Sequence, residues 1–316
     1  MMFRLIAKRV LVGILILWVI SVVIFLATQT LPGDAAQAIL GRQATPDRLA
    51  ALREQLHLNE SPISQYFKWL GGVFTLDFGS SLSNGRAVTT VIGPLFLNSL
   101  VLMAAAAIVS TPIALALGAW SALRRDKLVD HVTSSATLIF AAVPEFVVGM
   151  ILVIVFATGA LRILPAVYVG TGPAWGNPTQ LILPVVTLVL SVGPYIVRSM
   201  RATMLEVLES QYVQQARLKG LSERTVLLRH ALPNAVGPVV QVIALQLAYL
   251  MGGAVVIEFL FRYPGIGNAL IDAVRNRDLP VIQALTLIIA TVYIVVNLIA
   301  DIISLVANPK VRTAAR

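Results

Sequence analysis

Cysteine is absent from the 316 residues, which excludes disulfides, thiolate catalysis and cysteine-based metal sites. Charge is nearly as scarce. Only 12% of the chain is Asp, Glu, Lys or Arg, against about a quarter in a soluble domain. The three histidines, His57, His131 and His230, lie far apart and show no ligand spacing. No stretch has the phosphate-cradling form G-x-x-x-x-G-K-[ST]; the nearest glycine-rich pieces, GSSLSNGR and GIGNAL, lack the lysine in place. There is no repeat at a solenoid period and no low-complexity tail. Neither an Asp–Asp, a Ser–His nor a His–Glu pair stands at a depth where it would make an intramembrane enzyme. These absences leave no catalytic, cofactor-binding or metal site on the chain.

Apolar residues make up 58% of the sequence, more than a water-soluble core could hide. A bilayer core about 30 Å thick needs about 20 helical residues, and six stretches meet that length. They are residues 10–30, 98–123, 132–161, 181–197, 235–259 and 281–307. The first is too long, and lacks the small-residue cleavage site, to be a removed signal peptide. The expected architecture is an all-α polytopic membrane protein with six transmembrane helices. Residues 1–30 form a tail and first helix, and 31–97 an extracytoplasmic helical and loop insertion. A cytoplasmic loop covers 198–234, an extracytoplasmic loop 260–280 and a cytoplasmic tail 308–316.

Lysine and arginine set the orientation. With the N-terminus inside, fifteen of the 24 basic residues fall on inner segments and nine on outer ones. Acidic residues such as Asp47, Glu54 and Asp272 dilute the outer nine. Both termini are therefore expected in the cytoplasm. The net charge of +9 is explained by this topology, leaving nucleic acid no role as a partner. In the outer insertion, Thr45 and Pro46 read as the start of a helix. That insertion is either a solvated cap or a contact surface for an extracytoplasmic partner. After Pro264-Gly265 a short amphipathic helix is expected.

The polar stretch EVLESQYVQQARLKGLSERTVLLRHALPNAVGPVV, residues 206–240, interrupts two membrane-length runs. Helix formers reach to Lys219, with Gly220 placed to end the helix. Ser222 caps a second helix with Glu223 in its first turn, and Pro233 ends or kinks it. The loop therefore reads as two short helices joined at Gly220-Leu221. Leu218, Leu221, Val226, Leu227 and Leu228 either pack on the chain's own inner helix ends or form a ridge that docks into a cytoplasmic partner.

Polar residues inside the spans face protein or water, because a charge at the bilayer centre costs about 3 kcal/mol. Gln241, Gln246 and Tyr249 lie in the fifth span. Gln246 and Tyr249 share a face one turn from Gly252-Gly253, and either line a pathway or pack against another helix. Glu258, at the outer end, reaches water or joins the same path. Glu145, beside Pro144, is neutral, paired, or lines the path and favours cationic cargo. Asp301 reads as a satisfied polar contact.

YVQQARLKGL…RHALPNA resembles the cytoplasmic EAA loop of binding-protein-dependent ABC importer permeases, in the dipeptide, oligopeptide and nickel branch. Ala216, Gly220, Leu232 and Pro233 fit its pattern; Gln214, Gln215 and His230 depart from the general consensus. LPGDAA (31–36), DFGSSL (77–82), PEF (144–146), YPGIGNAL (263–270), RDLPVIQ (277–283) and NLIADIISLVANPKVR (297–312) are similar to the branch in their positions. Leu76 stands where the branch often has glycine, and Glu145 where it often has a small residue. The resemblance implies a type I ABC importer permease fold and a coupling helix seated in a cytoplasmic ATPase. The contacts would come from Tyr212, Gln214, Gln215, Ala216, Arg217, Lys219, Gly220, Leu221, Arg229, His230 and Pro233. It also implies a second homologous permease chain, two ATPase subunits carrying the ATP and magnesium, and an extracytoplasmic binding protein. The setting would be a bacterial inner membrane, and the cargo di- or oligopeptides; nickel complexes and glutathione-like molecules are alternatives. An ion-driven secondary transporter would need internal repeats and acid–base relays, which the sequence lacks.

Overall fold

In a bilayer the backbone must satisfy its own hydrogen bonds, so the apolar runs become helices. A computed structural model of the chain describes residues 2–29, 45–55, 60–159, 161–170 and 172–307. The helices are α1 (Met2–Gln29), α2 (Pro46–Gln55), α3 (Pro62–Phe74), α4 (Val88–Leu123), α5 (Leu128–Ala142) and α6 (Glu145–Val153). There follow α7 (Pro178–Leu208), α8 (Gln211–Leu218), α9 (Glu223–Leu260), α10 (Ile266–Asn276) and α11 (Leu279–Ala307). Among the described residues the only strand-like feature is an isolated bridge between Ser80 and Ala87. The LPGDAA motif and the tail 308–316 lie outside the described residues.

Among the described residues, five helices are long and apolar enough to cross a membrane: α1 from Ile6, α4, α7, α9, and α11 up to Ile299. The pair α5–α6, bent by 105°, makes six when it is counted as one broken span. The single helix expected over 132–161 is thus corrected to two. Pro144 donates no backbone hydrogen bond and disfavours the helical region for the residue before it; Val143 is extended, at φ −89° and ψ 129°. A π-helical turn, Ile154–Thr158, then continues α6. Several helices also outrun their apolar windows. Thus α4 begins at Val88 and α9 at Glu223, while α7 runs to Leu208. Hydropathy marks only the lipid-thick part of a helix; propensity and caps decide where it stops.

The chain divides into two compact units. The first comprises Met1–Arg9, Leu100–Tyr263 and Tyr293–Arg316. Its centre is the pairing of α7 with α9. One cluster gathers Leu183, Leu188, Leu250, Ile257 and Tyr263. Another gathers Ala114, Ile196, Met200, Met204, Ala235 and Val239. In the same unit Arg9 pairs with Asp301, so the beginning of α1 and the end of α11 lie on one side and Asp301 has a charged partner.

The second unit comprises Val10–Ser99 and Pro264–Val292. Val88 and Ile92 of α4 pack there with Ile266 and Ala273 of α10 and with Val281, Ile282 and Leu285 of α11. The helix expected after Pro264-Gly265 is α10. Its first amide, Ile266 N, donates 2.9 Å to Ser99 Oγ of α4, and Asn98 Nδ2 donates 2.8 Å to Pro264 O. Asp278 is 2% exposed and gathers the turn 81–83. It accepts from Leu82 N at 3.0 Å, Ser83 N at 3.3 Å, Ser83 Oγ at 2.9 Å and the Ser81 hydroxyl. Two separate sequence motifs, DFGSSL and RDLPVIQ, are therefore halves of one structural joint.

Replacing Asp278 with alanine leaves those four donors facing a buried site without their acceptor. We expect a loss of ~2–3 kcal/mol and new protease cleavage within residues 77–87. An unchanged melting midpoint and digestion pattern for the purified complex would refute this role.

Candidate functional site

The polar loop folds as a braced elbow. Helix α7 stops at Glu209, and Ser210 begins α8. At the other end, Gly220 N donates to Arg217 O at 2.9 Å and Leu221 N to Ala216 O at 3.3 Å. This pair of reversed bonds is the Schellman arrangement, and it requires the left-handed backbone that Gly220 adopts at φ +75°. No atom lies within 4 Å of where a Gly220 Cβ would be, so conformation rather than space selects glycine. Ser222 then caps the next helix by accepting from Thr225 N. Across the turn, Arg217 forks onto Glu223 at 2.8 and 3.3 Å. Beneath it Val213, Ala216 and Val226 form a small closed core.

This geometry divides the expected contact residues. Ala216 is buried in the elbow itself, whereas Gln214, Gln215, Arg217, Lys219 and Gly220 are exposed. Of the apolar residues, Val226 is buried and Leu227 packs on the chain's own helices. Leu218 is 86% exposed, Leu221 40%, Leu228 54% and Tyr212 43%. The apolar residues of the loop thus divide into a set packed on the chain's own helices and an exposed set, Leu218, Leu221 and Leu228. Farther on, α9 does not stop at Pro233. It passes through a π-helical turn, Val226–Ala231, and continues with Pro233 at the start of its regular part. The wide turn tolerates a residue with no amide hydrogen. Arg229 and Pro233 face solvent, His230 is half-buried, and the His230 carbonyl accepts from Asn234 Nδ2 at 2.7 Å.

An ion pair between a buried carboxylate and a partly exposed arginine, which the sequence reading did not anticipate, fixes α5 to α7 just before the elbow. Asp130, 2% exposed, receives Arg201 Nε at 2.5 Å and Nη2 at 2.6 Å. Ser121 Oγ donates to it at 2.5 Å and Asp126 N at 3.1 Å, so both oxygens are satisfied. Arg125 adds an exposed bridge to Glu209, 2.7 Å away, at the elbow's first corner.

The candidate path residues separate too. Glu145 starts α6 and meets α9: its carboxylate lies near Tyr249, and its Oε2 is buried with no hydrogen-bond partner among the described residues. That oxygen rests over Gly253, where a Cβ would stand 2.7 Å away. Tyr249, one turn from Gly253, is 53% exposed; Gln246 is half-buried and Gln241 exposed. Glu145 and Tyr249 therefore form one helix-to-helix contact, and Gln241 stands apart from it. Between α5 and α7 an open cleft of about 580 Å³ is lined by Ser134, Thr137, Leu138, Tyr195, Arg198, Ser199, Arg201 and Ala202. Glu258 is a correction. It is 1% exposed and so does not reach water. Its carbonyl accepts from Tyr263 N at 2.8 Å, and the fully buried Tyr263 closes over that end of α9. Burial first, then the nearby Glu258, pushes the Tyr263 phenol above the usual tyrosine range.

Residues 114–313 match the family model described as binding-protein-dependent transport system inner membrane component, and residues 2–117 match its companion N-terminal model. A probable peptide ABC transporter permease protein of Sinorhizobium fredii is 34% identical over 312 residues, covering 97% of this chain and 98% of that protein. Glutathione transport system permease proteins of Salmonella choleraesuis and of Escherichia coli K12 are 35% and 34% identical over 311 residues, covering 98% of this chain and 99% of each relative.

Removing one member of the Asp130–Arg201 pair should be far worse than removing both. Arg201→Met alone leaves a buried carboxylate uncompensated and should cost ~3–5 kcal/mol; Asp130→Leu with Arg201→Met should recover most of it. Thermal unfolding of the two variants side by side tests this, and equal destabilisation would contradict it.

Proposed function

The chain belongs to the family of binding-protein-dependent transport system inner membrane components, and from that premise we propose that it is the peptide-passing half of an ATP-driven importer. It spans the membrane with both termini in the cytoplasm and pairs with a second, homologous permease chain. Two cytoplasmic ATPase subunits bind the ATP and magnesium, while this chain binds no cofactor of its own. An extracytoplasmic binding protein delivers di- or oligopeptides. The peptide and glutathione permeases among the relatives support a small peptide-like cargo.

The observation that carries the mechanism is the elbow. It is held rigid from within by the Val213–Ala216–Val226 core, the Gly220 turn and the Arg217–Glu223 fork. Yet it presents Tyr212, Leu218 and Leu221 outward. A rigid ridge with exposed apolar side chains suits docking into an ATPase groove, because little ordering entropy is lost on binding. Drawing two such ridges together as the ATPases close would shift the membrane helices between inward- and outward-facing states. The orientation has independent support in the Arg9–Asp301 pair, which keeps the two ends of the chain on one side. The path is proposed to run past Tyr249 and Gln246.

Gly220→Val forces a β-branched residue into a left-handed conformation that costs ~1–2 kcal/mol. It should lower the seated elbow population, and peptide uptake, roughly tenfold. Membrane insertion should be unaffected, and Gly220→Asn, which tolerates that conformation, should keep most activity. Full uptake by the valine variant would exclude docking through this turn. For the path, cysteines introduced singly at Gln246 and Tyr249 should react with an aqueous thiol reagent in one nucleotide state and be protected in the other. Protection in both states would assign those side chains to packing alone.

A further inference from the structure

We propose that α3 is an interfacial anchor, lying in the headgroup region of one leaflet with an apolar stripe immersed in lipid. At 13 residues it is about 20 Å long, too short to cross a hydrocarbon core of about 30 Å. None of its residues is buried. One face is nonetheless committed to protein. Tyr66 and Trp69 pack on Phe25 of α1, with ring centroids 5.4 and 6.1 Å away. The Tyr66 hydroxyl lies 2.9 Å from Ser21 Oγ, and Gln65 Oε1 accepts from Gln29 at 2.7 Å.

Those α1 residues set the depth. Phe25 and Gln29 occupy the last two turns of the span Ile6–Gln29, where a helix of 24 residues leaves a hydrocarbon core about 30 Å thick, and Ser21 lies one turn deeper. At that level α3 turns Ile63, Phe67, Leu70 and Phe74 along one stripe, at helical spacings i, i+4, i+7 and i+11. Ile63 is 71% exposed, Phe67 64% and Phe74 81%. Leu76, just past the helix, is 70% exposed and held at φ +58°, a conformation that favours glycine, yet it presents a further large apolar group. On the same helix, Lys68 pairs with Glu60 at 2.5 Å and gives α3 a charged flank. Apolar stripe, polar flank, and a tyrosine and a tryptophan at the boundary make up the composition of a helix lying in the membrane surface. The occupant is lipid, because the stripe stands at the level where α1 itself exposes Val19, Val23 and Leu26. With the N-terminus in the cytoplasm, that leaflet is the outer one.

The absence of native cysteine allows a direct test. Ile63→Cys, Phe67→Cys, Phe74→Cys and, on the flank, Lys68→Cys are each nitroxide-labelled in the assembled transporter, in phospholipid vesicles without binding protein. Collision with dissolved oxygen, which partitions into lipid, should exceed collision with a water-soluble nickel chelate several-fold at positions 63, 67 and 74. The ratio should invert at 68. Chelate access at all four positions would overturn the anchor, by placing α3 in water. Protection from both quenchers at the stripe would overturn it as well, by assigning the stripe to a protein neighbour. So would a lipid signature that vanishes in vesicles but persists in detergent.

Discussion

Lipid offers no hydrogen-bond partner to a polypeptide backbone, and that deprivation governs the molecule. At several points among the described residues where the chain leaves the α-helical ladder, a substitute partner is on hand. The start of α10 finds the Ser99 hydroxyl of α4. The turn 81–83, with no helix of its own, is collected by one buried carboxylate, Asp278. At Pro144 the ladder breaks outright, and α6 restarts with amides from its first turn bonded to the Pro144 carbonyl. At these three departures from the helix, neighbouring side chains or turns take over the backbone's needs.

The same economy of partners distinguishes the elbow from an ordinary loop. It closes its own core with three small or β-branched side chains and ends α8 with reciprocal backbone bonds. Just upstream, the Asp130–Arg201 pair locks α5 to α7, each carboxylate oxygen bonded more than once. An isolated buried ion pair contributes little net stability, but it penalises every arrangement in which its members separate. The base from which the elbow projects is therefore fixed in register rather than merely packed.

Much of this was readable in the residues, and what was not has a physical cause. Gly220, Ser222 and Glu223 announced the elbow because caps are local: each is chosen by backbone geometry within a few positions. The apolar windows located the spans for the same reason, since bilayer thickness acts on consecutive residues. Pro144 carried the signal for the break in the third span, but a hydropathy average smooths over a single imino acid. The Asp130–Arg201 pair was illegible because its members are 71 positions apart; nothing local distinguishes a paired Asp from a solvated one. Glu258 misled for a related reason: its position near a span end suggested water, while Tyr263, folded back over it, keeps water away. Glu145 and Gly253 were each noticed separately, yet only a fold shows that the carboxylate lies on the glycine.

One rod joins the two halves of the proposed machinery. Helix α9 starts at Glu223, clasped by the elbow, and runs on through the widened turn Val226–Ala231 to Gly253, where Glu145 leans on it. At 1.5 Å per residue the separation is about 45 Å. A tilt imposed at the foot of a stiff rod is magnified with distance, so a displacement too small to unseat the elbow would slide the Gly253 surface beneath the carboxylate. The widened turn at Val226–Ala231, with Pro238 inside the helix beyond it, is a compliant joint near that foot. Its stiffness sets how much of a push delivered below survives as movement above.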